Sequence, residues 1–161
     1  MAINLKSLSK PEGQRPIIAT LFGEGGMGKT TLASMFPKPV FIRTEDGTAS
    51  LVGNDNVSLF PLTTSSQDVL DAIEALATEK HDHKTLVIDS ITQLATQIES
   101  EIVESDPKAK SISQAGGGYG AGFGQASERH AQIREWAGSL AYEMNMNVVF
   151  IGHADTETLT L

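Results

Sequence analysis

The sequence predicts an α/β fold with a mainly parallel central sheet that is covered by helices on both faces. Strand-like segments alternate along the chain with segments whose apolar residues recur at helical spacing. The strand-like segments are continuously apolar, which is typical of parallel strands buried on both faces. The chain has 161 residues, 40% of them hydrophobic, which is enough for one domain with a buried core.

The first strand is predicted at 17–22, where the residues read IIATLF. It follows a polar segment, residues 1–14, which we interpret as an N-terminal arm ahead of a core spanning 15–161. A short helix follows over 29–36 and ends before Pro37, because proline cannot continue a helix.

The middle of the chain predicts two further strands and a helix. The strands lie at 40–45 and, more weakly because it carries Pro61, at 57–62. Ser65 and Asp68 have the spacing of a capping box, which marks the start of a helix. The apolar stripe of that helix contains Val69, Leu70, Ile73, Leu76 and Ala77.

The last third predicts a strand at 85–89 and a helix whose apolar stripe runs from 91 to 102. Residues 106–124 are rich in glycine and are predicted to be irregular. Apolar residues at helical spacing return between 133 and 144, and the final strand is predicted at 148–152.

The loop between the first strand and the first helix carries the most specific motif. Gly23 to Thr30 fit the phosphate-loop pattern G-x-x-x-x-G-K-[ST], in which glycines let backbone N–H groups form an anion nest. Lys29 would reach the β- and γ-phosphates of a nucleotide, and Thr30 would bind Mg²⁺. A chance match in a glycine-rich turn is the alternative, but the flanking strand and helix count against it. The predicted nucleotide-binding residues are Gly23, Glu24, Gly25, Gly26, Met27, Gly28, Lys29, Thr30 and Thr31.

Two carboxylates follow predicted strands at the edge of the sheet where ligands bind. Asp89 ends the strand LVID and is expected to orient Mg²⁺, although it could also cap the next helix. Glu45 ends the strand at 40–45 and is the candidate base that activates water for ATP hydrolysis. The alternative for Glu45 is a solvated turn, because Asp46 and Gly47 form a turn dipeptide.

Composition excludes several other classes of protein. There is no cysteine, so neither disulfides nor thiolate metal sites are possible. No apolar run approaches a membrane span and no signal peptide is visible, so we expect a cytoplasmic protein without membrane contacts. The 20 acidic and 12 basic residues give a net charge of −8, so nucleic-acid binding must be local or shared among subunits.

The motifs occur in the order GEGGMGKTT, FIRTEDG, LVIDS, a glycine-rich loop, and VVFIGHADTET. Taken together, they resemble the RecA-like ATPase core over residues 15–161. Within that class the chain is similar to phage nucleotide-binding proteins that act as single-strand annealing recombinases. The resemblance implies that Glu45 is the catalytic base, Asp89 the Walker B aspartate and His153 the sensor of the γ-phosphate, where RecA itself has glutamine. The alternative for His153 is a strand-end histidine bonded to a loop.

The glycine-rich segment DPKAKSISQAGGGYGAGFGQ, residues 106–125, is the candidate surface for single-stranded DNA. It combines Lys108 and Lys110 with Tyr119 and Phe123, and exposed aromatic rings can stack on any base. The resemblance places this segment at the first DNA-binding loop of RecA-like proteins. A disordered surface loop and a contact between subunits are the alternatives.

The resemblance also has implications for assembly. ATP would lie between neighbouring subunits of a homo-oligomeric ring or filament, and a single-strand binding protein is an expected partner. The strand that ends at His153 would lie between the phosphate-loop strand and the Walker B strand. Further strands would normally follow, so we expect a C-terminally truncated RecA-like fold in which ADTETLTL begins the second DNA-binding loop.

The sequence therefore predicts a Mg²⁺-dependent ATPase that acts on single-stranded DNA in phage-type recombination or annealing. One alternative is a small-molecule P-loop kinase, which would need arginines clustered in a lid; none of the four arginines forms such a cluster. The other alternative is a nucleotide-dependent interaction module without significant turnover. The remaining histidines suggest a solvated turn at 81–83, rather than a metal site, and a packed side chain at His130.

Overall fold

The computed structural model describes residues 4–10, Gly13 and residues 15–154. Short 3-10 turns at Leu5–Ser7, Thr48–Leu51 and Ala115–Gly117 supplement the regular elements. The helices and strands in chain order are β1 (Ile18–Gly23), α1 (Lys29–Ser34), β2 (Pro39–Arg43), β3 (Ser58–Leu62), α2 (Ser66–Thr78), β4 (Thr85–Asp89), α3 (Ile91–Ser105), α4 (Ala121–Glu143) and β5 (Asn147–His153).

The strands form one parallel sheet in the order β1-β5-β4-β2-β3, which confirms the predicted α/β class. As the resemblance implies, β5 lies between the phosphate-loop strand and the strand that ends at Asp89. Within the described part of the chain, β1 pairs only with β5 and is therefore an edge strand. The prediction about ADTETLTL falls almost wholly on residues 155–161, outside the described residues.

Helices cover both faces of the sheet, also as predicted. Alternating side chains of β4 show this directly: Leu86 and Ile88 join the core beneath α2, α3 and α4, whereas Val87 joins the smaller core that contains Ala33 of α1. All five residues of β4 are buried. The strand that carries Asp89 is thus held rigidly at the centre of the fold.

The predicted capping box is confirmed at the start of α2. The Ser65 side chain accepts a hydrogen bond from the Asp68 N–H, and the Asp68 carboxylate accepts one from the Ser65 N–H. The prediction that Glu45 ends a strand is wrong, because β2 ends at Arg43 and Glu45 lies two residues further on, in a bend.

The predicted irregular segment over 106–124 is also wrong at its C-terminal end. Helix α4 begins at Ala121, so Phe123 lies in its first turn. The sequence predicts too short a helix, because the first half of α4 exposes mostly glycine and polar residues and so shows no helical period of apolar residues. Neither this helix of 23 residues nor any other in the described chain is long and apolar enough to cross a membrane.

Candidate active site

The candidate site forms where four parallel strands end at one edge of the sheet. The register aligns Gly23 of β1 with His153 of β5, and Arg43 of β2 with Asp89 of β4. Because β5 and β4 are also neighbours, the loops that follow these strands converge. The predicted phosphate loop and the three predicted polar residues are therefore brought to one place by the topology.

The phosphate loop has the backbone that its glycines allow. Gly26 and Gly28 have φ values of 79° and 84°, in the left-handed region that side-chain-bearing residues rarely adopt. The carbonyl oxygen of Gly28 accepts the first bond of α1, from the N–H of Leu32 at 2.8 Å. The loop thus turns directly into the helix and leaves its N–H groups near the helix start, the arrangement that binds phosphate.

Lys29 lies over this loop. Its Nζ donates hydrogen bonds of 2.7 Å to the carbonyl oxygens of both Gly23 and Glu24. These partners are backbone acceptors of the loop itself, so the ammonium group can exchange them for phosphate oxygens without moving away from the site. The position fits the role predicted for Lys29.

Thr30 and Asp89, the two predicted metal ligands, are in direct contact. The Thr30 hydroxyl donates a 2.7 Å hydrogen bond to Oδ2 of Asp89. Asp89 is buried, with only 6% of its surface exposed. Burial raises the pKa of the Asp89 carboxyl, and the bond from Thr30 partly opposes that rise. Burial makes the negative charge of this carboxylate unfavourable unless a positive charge lies beside it. A hydroxyl next to such a carboxylate is therefore a suitable pair of ligands for a hard divalent cation.

Glu45 and His153 form the second pair of the site. Nε2 of His153 lies 2.6 Å from Oε1 of Glu45, and both side chains are about one-third exposed. The histidine is thus bonded to a loop residue, as the alternative interpretation expected, but that residue is the candidate base. The backbone of His153 is also held in place, because its N–H donates to Oγ1 of Thr92 at 2.8 Å.

The two pairs are close enough to act as one centre. One ligand atom each from Glu45, Asp89 and His153 lie within 4.8 Å of one another. They border a cavity of about 280 Å³. Gly47 and Ser50 also border this cavity, and the sequence analysis did not assign either of them to the site. A signal was present for Gly47, because it directly follows Glu45 and Asp46 in the stretch TEDG. The residues that line this cavity are Gly26, Gly28, Lys29, Thr30, Thr31, Glu45, Gly47, Ser50, Asp89 and His153.

A larger cavity of about 820 Å³ lies between the β1 edge of the sheet and helices α3 and α4. It is lined mainly by apolar side chains such as Ile18 and Phe22, and none of the predicted phosphate or metal residues borders it. The smaller cavity is therefore the better candidate for nucleotide chemistry, since only it combines the glycine-rich loop with convergent polar groups.

The predicted DNA-binding residues do not border the nucleotide cavity. Tyr119 is fully exposed, Phe123 is 51% exposed, and Lys108 and Lys110 are also exposed. The segment that carries them is folded, since Ala115 is buried and the N–H of the next residue bonds to Oδ2 of Asp106 at 3.0 Å. The aromatic rings are consequently presented to solvent by an ordered scaffold.

The other histidines lie away from the candidate site and are partly buried. Nε2 of His81 contacts the carbonyl oxygen of Leu76 at 2.8 Å, and the neighbouring Asp82 pairs with Lys38. Among the described residues, these side chains form no cluster with the geometry of a metal site. His130 is partly buried on α4, and that burial lowers its pKa.

Comparison with known proteins assigns the family. The sequence profile of a family described as AAA domain matches residues 15–161, which is most of the chain. No curated protein matches the chain. The matched range contains the phosphate loop, the Thr30–Asp89 pair and the Glu45–His153 pair. The parallel sheet with its phosphate loop is the fold expected for this family. The chain therefore belongs to the AAA domain family and has the fold of a P-loop ATPase.

Proposed function

We propose that the protein is a RecA-like ATPase that hydrolyses Mg²⁺-ATP and acts on single-stranded DNA in phage-type recombination or annealing. The observation that carries the ATPase part is the convergence of the two pairs, Thr30 with Asp89 and Glu45 with His153, beside Lys29 at one cavity. A cavity that only bound nucleotide would need the first pair and the lysine. The second pair supplies groups suited to proton transfer.

The residues present fit a nucleotide with its metal ion. Gly26 and Gly28 shape the phosphate nest, and Lys29 supplies the positive charge. Thr30 and Asp89 would hold Mg²⁺. When bound, that ion neutralises charge that develops on the phosphate oxygens.

Glu45 is the group that would take the proton of the attacking water. Its carboxylate reaches into the cavity from the bend after β2 and keeps partial access to solvent. His153, in contact with the same carboxylate, would orient it and respond to the γ-phosphate. A base held by one neighbour and open on its other side can accept a proton without losing its position.

The action on DNA is supported by the exposed aromatic and basic residues of the glycine-rich segment. Tyr119 and Phe123 offer ring faces for stacking, and Lys108 and Lys110 can contact phosphates. Because the net charge is −8, such contacts must be concentrated in this segment or combined over several subunits. Assembly into a homo-oligomer with ATP between subunits, and cooperation with a single-strand binding protein, belong to the same proposal.

Phosphate release measured with and without single-stranded DNA tests the proposal. Release that rises on addition of DNA is the expected result. Phosphate release that does not depend on DNA would support ATP hydrolysis but contradict the proposed action on DNA. Tight ATP binding without release would favour the interaction module, and transfer to an added small-molecule acceptor instead of water would favour a kinase.

A further inference from the structure

The structure assigns a positioning role to Thr44: its hydroxyl fixes the backbone that carries the candidate base Glu45 against the backbone that carries Asp89. The inference rests on the proposed ATP hydrolysis and concerns how the two carboxylates are kept at a working distance.

Thr44 makes three hydrogen bonds to the end of β4. Its Oγ1 donates to the carbonyl oxygen of Ser90 at 2.7 Å and accepts from the Ser90 N–H at 2.8 Å. Its own N–H donates to the carbonyl oxygen of Asp89 at 2.9 Å. Thr44 is 4% exposed and Ser90 is fully buried, so water cannot replace these bonds.

These bonds continue the strand pairing beyond the point where the sheet stops. The last aligned pair of β2 and β4 is Arg43 with Asp89, and the next residue of each chain leaves the sheet. Thr44 therefore joins the two chain segments at the position just before Glu45 departs into its bend. Without that junction, nothing in the ladder of β2 and β4 would fix the start of the bend relative to Asp89.

A glutamine on α3 supports the same point from the other side. Nε2 of Gln97 donates to the carbonyl oxygens of Thr44, at 3.4 Å, and Thr63, at 3.2 Å. The backbone of Thr44 is thus tied to the end of β3 while its side chain is tied to the end of β4. The hydroxyl is the only part of this arrangement that a valine would remove.

Two of the binding groups, Lys29 and Thr30, lie on α1. The third, Asp89, keeps its bond from the Thr44 N–H when the hydroxyl is removed, because the hydroxyl bonds to Ser90. Lys29 bonds to the carbonyl oxygens of the phosphate loop, and Thr30 bonds to the Asp89 side chain rather than to the backbone that Thr44 holds. Loss of the Thr44 hydroxyl should therefore displace Glu45 and slow the chemical step, while ATP affinity is little changed. That separation distinguishes positioning of the base from general destabilisation of the site.

The test compares Thr44→Val with Thr44→Ser, which keeps the hydroxyl. Thr63→Val is the matched control, because Thr63 is 6% exposed and its hydroxyl also bonds to the end of β2, at the Arg43 carbonyl oxygen 3.0 Å away. We measure kcat and KM for Mg²⁺-ATP, ATP affinity and thermal unfolding for each variant. If Thr44→Val does not fold, Thr44→Ala replaces it with the same expectation.

Thr44→Val should lower kcat by about ten- to a hundredfold with little change in KM, as misplaced catalytic groups do. Thr44→Ser should restore most of the loss, and Thr63→Val should retain normal kcat. The inference is overturned if Thr44→Val keeps normal kcat, if KM rises while kcat stays constant, if serine does not rescue, or if the control loses as much activity.

Glu45→Gln in the same assay separates the two levels of the argument. If Glu45→Gln keeps normal turnover, Glu45 is not the base, and the inference about Thr44 falls with it. If Glu45→Gln loses turnover while Thr44→Val does not, the base stands and only the positioning role is wrong.

Discussion

Nε2 of His153 contacts Oε1 of Glu45 at 2.6 Å, although the two residues are 108 positions apart in the chain. His153 ends β5, and Glu45 lies in the bend that follows β2; these two strands are not neighbours, because β4 lies between them. The contact therefore bridges the strand end that carries Asp89. A change at the histidine therefore alters a direct contact of the candidate base. In the sequence, His153 is followed by ADTETLTL, the segment predicted to begin the second DNA-binding loop.

His153→Ala should uncouple ATP hydrolysis from DNA binding. The substitution removes the ring that contacts Glu45 but keeps the backbone bond to Thr92, so the strand end should stay in place. We expect ATP to bind while the ATP-dependent change in DNA affinity is lost. DNA titrations with and without ATP measure this, with His130→Ala as the control for loss of a partly buried histidine. A normal response of His153→Ala to ATP would contradict the sensor role.

Lys29→Ala should abolish ATP binding or turnover and leave the fold intact. The described bonds of its Nζ go only to carbonyl oxygens of the phosphate loop, so no core contact is lost. What is lost is the charge that compensates the phosphates. ATP titration and circular dichroism check the two halves of the prediction. The control is Lys38→Ala, which removes an exposed lysine paired with Asp82.

Glu45→Gln should keep Mg²⁺-ATP affinity and lose hydrolysis. Glutamine has nearly the same shape but cannot take the proton from water, and a positioned base contributes about 10²–10⁴-fold in rate. Steady-state phosphate release measures the loss. A decrease of less than about tenfold would show that another group is the base.

Asp89→Asn should instead weaken the Mg²⁺-dependent part of ATP binding. The amide can still accept the hydrogen bond from Thr30, so the local packing is preserved while the charge is removed. ATP affinity measured over a range of Mg²⁺ concentrations should show a reduced dependence on the metal. Equal Mg²⁺ dependence in the variant and the unmodified protein would remove Asp89 from the metal site.

The same carboxylate predicts how the site responds to pH. Burial raises the pKa of Asp89, so on acidification it takes up a proton at a higher pH than an ordinary aspartate does. Since a metal ion needs the ionised form, Mg²⁺-dependent ATP binding should begin to weaken at a higher pH than it would with an aspartate of ordinary pKa, and should recover on return to neutral pH. Asp89→Asn is the control, because it should remove this part of the pH dependence.

The sequence could predict the parts of the site that depend on local chain chemistry. The glycines of the phosphate loop mark a backbone that few other residues allow, and Asp89 follows an uninterrupted apolar strand. The contact of Thr30 with Asp89 then follows from the parallel topology. His153 can be recognised only from the order of the motifs, because one histidine after a strand carries little information by itself.

Other features depend on contacts that no local pattern encodes. The bonds of Thr44 to Ser90 join segments 46 positions apart, and nothing in the stretch FIRTEDG distinguishes that threonine from a solvent-exposed one. The start of α4 is hidden in the sequence for a different reason. Residues 116–120 all have positive φ values, and glycine continues into the first turn of the helix, so composition there predicts a loop until packing is known.

The last prediction concerns the rings of the glycine-rich segment. Replacing Tyr119 and Phe123 together with alanine should weaken single-stranded DNA binding by about 1–3 kcal/mol per stacked base. Both rings are exposed and neither belongs to the hydrophobic core of the described residues, so the fold should be unaffected. Tyr142→Ala is the matched control, since Tyr142 is 85% exposed at the other end of the same helix. Titration with a labelled oligonucleotide gives the affinities.

Replacing Lys108 and Lys110 with alanine should have a different signature, because phosphate contacts release counterions. The dependence of DNA affinity on salt concentration should become shallower, whereas loss of the rings should lower affinity by a similar factor at every salt concentration. ATP binding without DNA should be unchanged in both double variants, because none of the four residues borders the nucleotide cavity. If both variants bind DNA like the unmodified chain, the segment is a linker or a contact between subunits. If the Tyr142 control loses as much affinity as the two rings, the loss does not come from stacking on this segment.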